Sequence, residues 1–308
     1  MKWHILGAGS LGCLWAARLA EKNIPVRIIL RNEGTLTRYI ESPGIRLSNA
    51  LRTQTQYHPI PAQLATDAEP IDCLLLACKA YDARAAVNAV AKRLHSNSLV
   101  ILLQNGLGSQ QAIQTLLPNV RCIAASSTEG AYLASPFHSV FAGQGHIYLG
   151  DLQEQSQPPP QQLLDNCLQA EIPCTWTTDI FTHLWRKLAV NCAINPFTVI
   201  YNCLNGELKQ HPAVINNLCN ELQLVLQAAG QVQAAQNLQQ TVWSVIDKTS
   251  HNSSSMRQDV AQGRRTEISY ITAFACAQSR ALQCQTPTLF ALHTQLQNAL
   301  RKHGLSTT

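Results

Sequence analysis

The chain has no apolar run near the roughly 18 residues that span a bilayer, and its eleven cysteines include no C-x-x-C pair. The first absence excludes an ordinary transmembrane helix. The second, with an odd number of thiols, argues against a disulfide framework and a zinc knuckle and points to a reducing compartment, the cytoplasm. No metal site is expected. Charge is sparse as well: 13% of residues are Asp, Glu, Lys or Arg, and the formal net charge of +5 is spread along the chain. A field that weak and dispersed gives no reason to expect nucleic acid or a membrane surface as partner. The opening stretch, MKWHILGAGSLGCLWAARLA, has a secretory flavour, but its glycines and Arg18 break the apolar block. No internal repeat is present.

What remains is a globular composition, 308 residues with 46% hydrophobic content, long enough for one large domain or two ordinary ones. The first half alternates short apolar runs with helical patterns. WHILGAG reads as a strand, LGCLWAARLAEKN as an amphipathic helix, and PVRIILR, IDCLLLACKA and SLVILLQNG as further strands. Apolar runs joined by helices imply a parallel sheet covered on both faces. VRCIAASSTEGA and GHIYLGD look like additional strands, and the Gln/Pro stretch at 152–162 reads as a loop. From Ile180 onward the pattern is helical, with breaks expected at Pro196, Gly206, Pro212, Gly230, Gly263 and Pro287. The fold class is therefore α/β, a doubly wound parallel sheet over residues 1–178, followed by an all-α domain over 179–308.

GAGSLG at 7–12 is a G-x-G-x-x-G motif lying between the first strand and its helix. Gly7 permits the tight turn, Gly9 lets a pyrophosphate approach the backbone, and Gly12 lets helix and strand pack closely. Ala8, Ser10 and Leu11 complete the turn, and the helix N-terminus offers N–H donors to the phosphates. An acid closing the second strand would favour NAD through the ribose 2′-hydroxyl. That acid is absent. Arg31 stands there instead, a planar fork suited to a 2′-phosphate, and Lys79 could add a second positive charge on the same edge. NADPH is favoured over NADH. Asn105, in LLQNG, falls at the carboxyl end of another strand, where ligands of open α/β sheets bind. An asparagine before glycine is equally a turn residue.

The helical half poses a different question. In LWRKLAVNCAINP (184–196), Lys187, Asn191 and Asn195 are four residues apart and share one stripe of an otherwise apolar helix. Burying a polar group without a partner costs roughly 2–7 kcal/mol. Either the stripe faces water, with the lysine snorkelling, or it faces something that needs an ammonium and two amides. Two further segments, YNCLNGEL (201–208) and NSSSMRQDVAQGRRTEISYI (252–271), also carry polar residues with no evident surface role.

Taken together with the N-terminal glycines, the pieces RKLAVN…INP, NGEL, SSM-x-QD and TEI-x-YI closely resemble the ketopantoate reductase (2-dehydropantoate 2-reductase) family, from the first strand to about residue 271. The resemblance implies a Rossmann domain and a helical domain with the active site in a cleft between them. It also implies NADPH-dependent reduction of 2-dehydropantoate to (R)-pantoate in pantothenate and coenzyme A biosynthesis. By motif position it makes Lys187 the catalytic lysine and Glu267 an acid at the lysine–cofactor site. It makes Asn191, Asn195 and Asn205 substrate-binding amides. Ser255 becomes a carboxylate contact with Asn252 nearby, Asn105 a contact to cofactor and substrate, and Ala131 a backbone contact to NADPH. Glu129, in SSTEGAYL, departs from that pattern beside the cofactor loop. A monomer or homodimer is expected. Two other readings stay open: a related two-domain dehydrogenase of another small 2-oxo or 3-hydroxy acid, and a non-catalytic NADPH-binding sensor.

Overall fold

The computed structural model describes the chain except residues 51 and 154–156, and for 52 and 53 it describes the backbone alone. The Gln/Pro stretch at 152–162 thus lies partly outside the described residues. The chain divides into two units: Met1–Gln104 with Ser109–Ile180, and Asn105–Gly108 with Phe181–Thr308.

The first unit is built on β1 (Trp3–Leu6), α1 (Ser10–Glu21), β2 (Val26–Leu30), α2 (Glu33–Ile40), β3 (Ile45–Asn49), β4 (Arg52–His58), β5 (Ala62–Leu64), β6 (Ile71–Leu76), α3 (Ala80–Val90), β7 (Leu94–Leu102), α4 (Ser109–Leu116), β8 (Arg121–Ser127), β9 (Gly130–Ser135), β10 (His138–Gly143), β11 (Ile147–Asp151), α5 (Gln161–Gln169) and β12 (Cys174–Trp176). Eight strands form one sheet in the order β12-β11-β8-β7-β6-β1-β2-β5. From β8 to β5 every pairing is parallel, and β11 runs antiparallel to β8. Read from β5, the six parallel strands follow the doubly wound order in which connections run outward from β1 on both sides. All four residues of β1 are buried, as a central strand covered on both faces requires.

A second sheet of four strands, β4-β3-β10-β9, is an addition that the apolar runs did not announce. Its strands carry polar side chains at exposed positions, among them Gln54, Gln56 and Tyr57 of β4. This sheet accounts for a correction to α1. That helix is not amphipathic: Gly12 to Ala17 and Leu19 are all buried. It packs against β1 and β2 of the large sheet and also against β3, β9 and β10 of the small one. A helix covered on two faces has to be apolar nearly all round. The secretory look of the first twenty residues has the same cause, and the Trp15 ring lies 5.9 Å from that of Trp3, tilted by 52°, within that core.

The second unit contains α6 (Ile180–Ile200, with Ile180 counted in the first unit), α7 (Pro212–Ala228), α8 (Val232–Ala235), α9 (Leu238–Lys248), α10 (Ser255–Ala261), α11 (Thr272–Ala281) and α12 (Pro287–Lys302). Pro212 and Pro287 open their helices at the first turn, where a missing N–H costs nothing. Glu221 of α7 accepts the backbone N–H groups of Thr288 and Leu289, both at 2.8 Å, fixing the start of α12 against α7. Pro196, expected as a break, is not one: α6 continues four residues beyond it. The proline removes one backbone donor, and the burial of Ala193, Ile194, Phe197 and Val199 holds the helix together across the gap.

Candidate active site

In the first unit, the turns that follow β1, β2 and β6 leave neighbouring parallel strands at the same edge of the sheet. The glycine turn follows β1, Arg31 follows β2 directly and is exposed, and Lys79 is the N-cap of α3 after β6. The three glycines differ in what requires them. Gly7 has φ +112°, and an added Cβ would lie 3.0 Å from the Cys78 backbone nitrogen. A Cβ on Gly12 would sit 2.2 Å from the Gly7 carbonyl oxygen, so helix and strand could not pack. Gly9 is constrained by neither: its φ is −76° and a Cβ would make only an ordinary contact at 3.4 Å. The protein's own packing does not demand glycine there. The turn adjoins the start of α1, whose N-cap makes no side-chain hydrogen bond and whose first turn has no acid. Ala8, Ser10 and Leu11 are half-buried in the same turn. The site therefore fits a nucleotide phosphate held by backbone N–H groups.

Ala131 lies on β9, an edge strand of the small sheet, opposite Phe141, and not in the glycine turn. Edge strands leave backbone groups unpaired within the sheet, which is what a backbone contact needs. Glu129 has a structural assignment. Its carboxylate, with a fully buried side chain, receives Arg18 Nη1 at 2.5 Å, while the same guanidinium lies 5.0 Å over the Phe141 ring. It ties α1 to the small sheet.

The second unit gathers the helical motifs. Lys187, Asn191 and Asn195 lie on α6; the first two are half-buried and Asn195 is buried. Burial lowers Lys187 from 10.5 to about 8, and the negative charge of Glu267 opposes the drop. Glu267 is itself buried and accepts Asn105 Nδ2 at 3.3 Å. Asn105 follows β7 closely, as its sequence position suggested, and the 105–108 segment is grouped with the second unit. The reason lies in the next residues. Leu107 N–H donates to the Tyr270 carbonyl at 2.9 Å, and a Cβ on Gly106, at φ +78°, would fall 2.1 Å from that same oxygen. Asn-Gly here is a docking point for the 267–270 turn, which any side chain at 106 would block.

Asn205 is buried; its N–H donates to the Asn252 carbonyl at 3.0 Å and its Nδ2 to Thr249 Oγ1 at 2.9 Å. Its Oδ1 is buried with no partner among the described residues. Asn252 is exposed, and Ser255 is exposed as the first residue of α10. The structure thus joins Asn105, Glu267 and Lys187 electrostatically and Asn205 with Asn252 by the backbone. Sequence reasoning missed Thr198, Ser254 and Tyr270, whose partners are distant in sequence.

Residues 3–154 match the family described as Ketopantoate reductase PanE/ApbA, and residues 179–299 match its C-terminal part. The chain belongs to the ketopantoate reductase family. Members are NADP-dependent oxidoreductases. The chain is 33% identical over 284 residues to the 2-dehydropantoate 2-reductase of Escherichia coli O157:H7, covering 91% of this chain and 89% of that one. It is 30% identical to the enzyme of the same name from Vibrio cholerae, covering 95% of each. Among solved structures it is similar to the PanE/ApbA family ketopantoate reductase of Ralstonia eutropha JMP134. There the TM-score is 0.88 with 25% identity, over 99% of this chain and 100% of that one. A D-mandelate dehydrogenase solved with NADH and anilino(oxo)acetate shares the fold at TM-score 0.89, with 20% identity over 99% and 100% of the chains.

Proposed function

We propose that the protein reduces 2-dehydropantoate to (R)-pantoate with NADPH, as a step towards pantothenate and coenzyme A. The single observation that carries this reading is the grouping of Lys187, on the apolar α6, with the buried Glu267 that accepts Asn105; burial lowers Lys187 to about 8 and Glu267 opposes the drop. A group poised there is charged at neutral pH yet able to give up its proton. When bound, NADPH supplies a hydride to the keto carbon. Gly7, Gly9 and Gly12 with the start of α1 would hold its pyrophosphate, Arg31 and Lys79 its 2′-phosphate, and Ala131 and Asn105 further parts of the dinucleotide.

The residues of the second unit then divide the work on the keto acid. Lys187 Nζ faces the oxygen that becomes negative, stabilises that charge, and delivers its proton to it. Glu267 keeps Lys187 protonated and oriented, and Asn105 fixes the Glu267 carboxylate through the bond at 3.3 Å. Asn191, Asn195 and Asn205 offer amides that can both donate and accept, as a keto acid with a hydroxyl requires. Ser255, beside Asn252, takes the carboxylate. Turnover of NADPH with ketopantoate, followed by loss of nicotinamide absorbance, tests the reading directly. It fails if NADPH is consumed with other 2-oxo acids and not with this one.

The second reading, a related reductase of another small 2-oxo acid, is favoured by the fold shared with D-mandelate dehydrogenase. A non-catalytic sensor has no need for Lys187 and Glu267 together. We also assign the protein to the cytoplasm as a monomer or homodimer without nucleic-acid or membrane partners. The eleven free thiols, the dispersed charge, and the lack of a helix among the described residues long and apolar enough to cross a membrane support that assignment.

A further inference from the structure

Three buried polar groups of the second unit form a chain with one consistent direction. Thr198 Oγ1 is 2.7 Å from the Asn195 carbonyl oxygen and 2.6 Å from Ser254 Oγ, while Ser254 Oγ accepts Arg257 N–H at 3.1 Å. Thr198 is fully buried and Ser254 nearly so. A carbonyl can only accept, so the Thr198 hydroxyl donates to Asn195. Its single proton is then used, and the Ser254 hydroxyl must donate to Thr198 Oγ1. The order is therefore Arg257 N–H to Ser254, Ser254 O–H to Thr198, and Thr198 O–H to Asn195. Every proton has an acceptor.

The ends of this chain are the point. One end is the backbone carbonyl of Asn195, so the chain is anchored on the α6 backbone that carries the amide stripe; at the other, Ser254 is the N-cap of α10, whose first residue is Ser255. We propose that Thr198 is a positioning residue for the keto acid, its buried hydroxyl holding Ser255 at a fixed place relative to Asn191 and Asn195. The proposal rests on the reading of those three residues as substrate contacts. α10 has one apolar packing anchor, Met256, at 2% exposure. It is only seven residues long, and Arg257, Val260 and Ala261 line an open cavity of about 560 Å³ shared with Val199 and Asn202. A second side-chain tether runs from α10 to the residues just after α6, Arg257 Nε to Asn202 Oδ1 at 3.1 Å, an exposed contact that water can replace. The buried hydroxyl pair is the bond that water cannot replace.

Thr198→Val keeps the shape and removes the hydroxyl, leaving the Ser254 donor without an acceptor in a buried place. The expected result is a KM for ketopantoate raised about tenfold, the scale of one buried unpaired donor, with kcat changed by less than about twofold because the carboxylate contact is uniform binding. Thr198→Ser should restore KM. In a Ser255→Ala background, Thr198→Val should add little further, since both changes act on one contact. Amide hydrogen exchange supplies a readout independent of substrate: the Arg257 N–H should lose protection in Thr198→Val and keep it in Thr198→Ser. Ser254→Ala, which cuts the same chain from the other end, should reproduce the valine variant if that one folds poorly. Unchanged exchange across 254–261 overturns the proposal, as does an unmoved KM with exchange raised. If the wild type consumes no NADPH with ketopantoate, the functional reading fails, and the exchange comparison still decides whether Thr198 holds α10.

Discussion

On the proposed function, the two units serve their ligands in opposite ways. The first offers backbone: a turn of three glycines, an uncapped helix start and the ends of adjacent parallel strands, where the groups that matter are N–H donors and empty space. The second offers side chains: a lysine, a buried acid, five asparagines and a serine drawn from α6, the 105–108 segment, the 205 turn, the 252–255 cap and the 267 turn. A nucleotide phosphate is the same in every dinucleotide, so backbone suffices for it. A keto acid differs from its relatives by single groups, and only side chains can be matched to those. The lesson is that the first unit should be sensitive to added volume and indifferent to charge, apart from Arg31 and Lys79. The second should be sensitive to the loss of single polar atoms.

The largest break in that contrast is Lys187→Ala. Loss of a positioned acid should lower kcat about a hundred- to ten-thousandfold, while NADPH affinity in a titration of cofactor fluorescence stays close to wild type. In the same measurements Arg31→Asp should weaken NADPH about ten- to a hundredfold, the worth of a charge-assisted hydrogen bond, and leave NADH nearly unchanged. Equal wild-type affinity for both cofactors would remove Arg31 from the site. Gly9→Ala sharpens the comparison further. Because a Cβ there meets only an ordinary contact at 3.4 Å, the melting temperature should stay put while NADPH binding drops. Gly12→Ala, which would place a Cβ 2.2 Å from a backbone oxygen, should lose the fold as well.

The same contrast decided what could be read without coordinates. The glycine turn was legible because its spacing is contiguous and its strand and helix flank it. The stripe on α6 was legible because a helix puts residues four apart on one face. The small sheet was not: Ile45–Asn49 and Arg52–His58 contain no apolar run, since one side of such strands faces water. The two-sided burial of α1 followed from that omission. The docking of the Asn105 segment was not legible, because sequence position shows where a loop leaves a strand, not what it docks against. The Thr198–Ser254 bond spans 56 residues between two common hydroxyls, and nothing in local pattern marks it.

A smaller effect concerns stability. Lys187 is lowered from 10.5 to about 8 in the folded chain, so between those values the unfolded chain binds the extra proton. Stability should then rise with pH across that window and level off above it. A shift of that size is at most about 3–4 kcal/mol, and Lys187→Met should melt higher than wild type at neutral pH because it removes a charge that burial disfavours. Chemical denaturation at several pH values measures both. A fall in stability across the window, or no gain in the methionine variant, would mean that the ammonium is well solvated.

The most direct test of the central claim is the pH dependence of kcat/KM, which reports the free enzyme. With Lys187 as the proton donor, kcat/KM should be level near neutrality and fall tenfold per unit above about 8. Glu267→Gln, which removes the charge opposing the drop, should move that limb to lower pH, and Lys187→Ala should abolish it. A wild-type limb near the unperturbed value of 10.5, or one that survives in Lys187→Ala, would contradict the account.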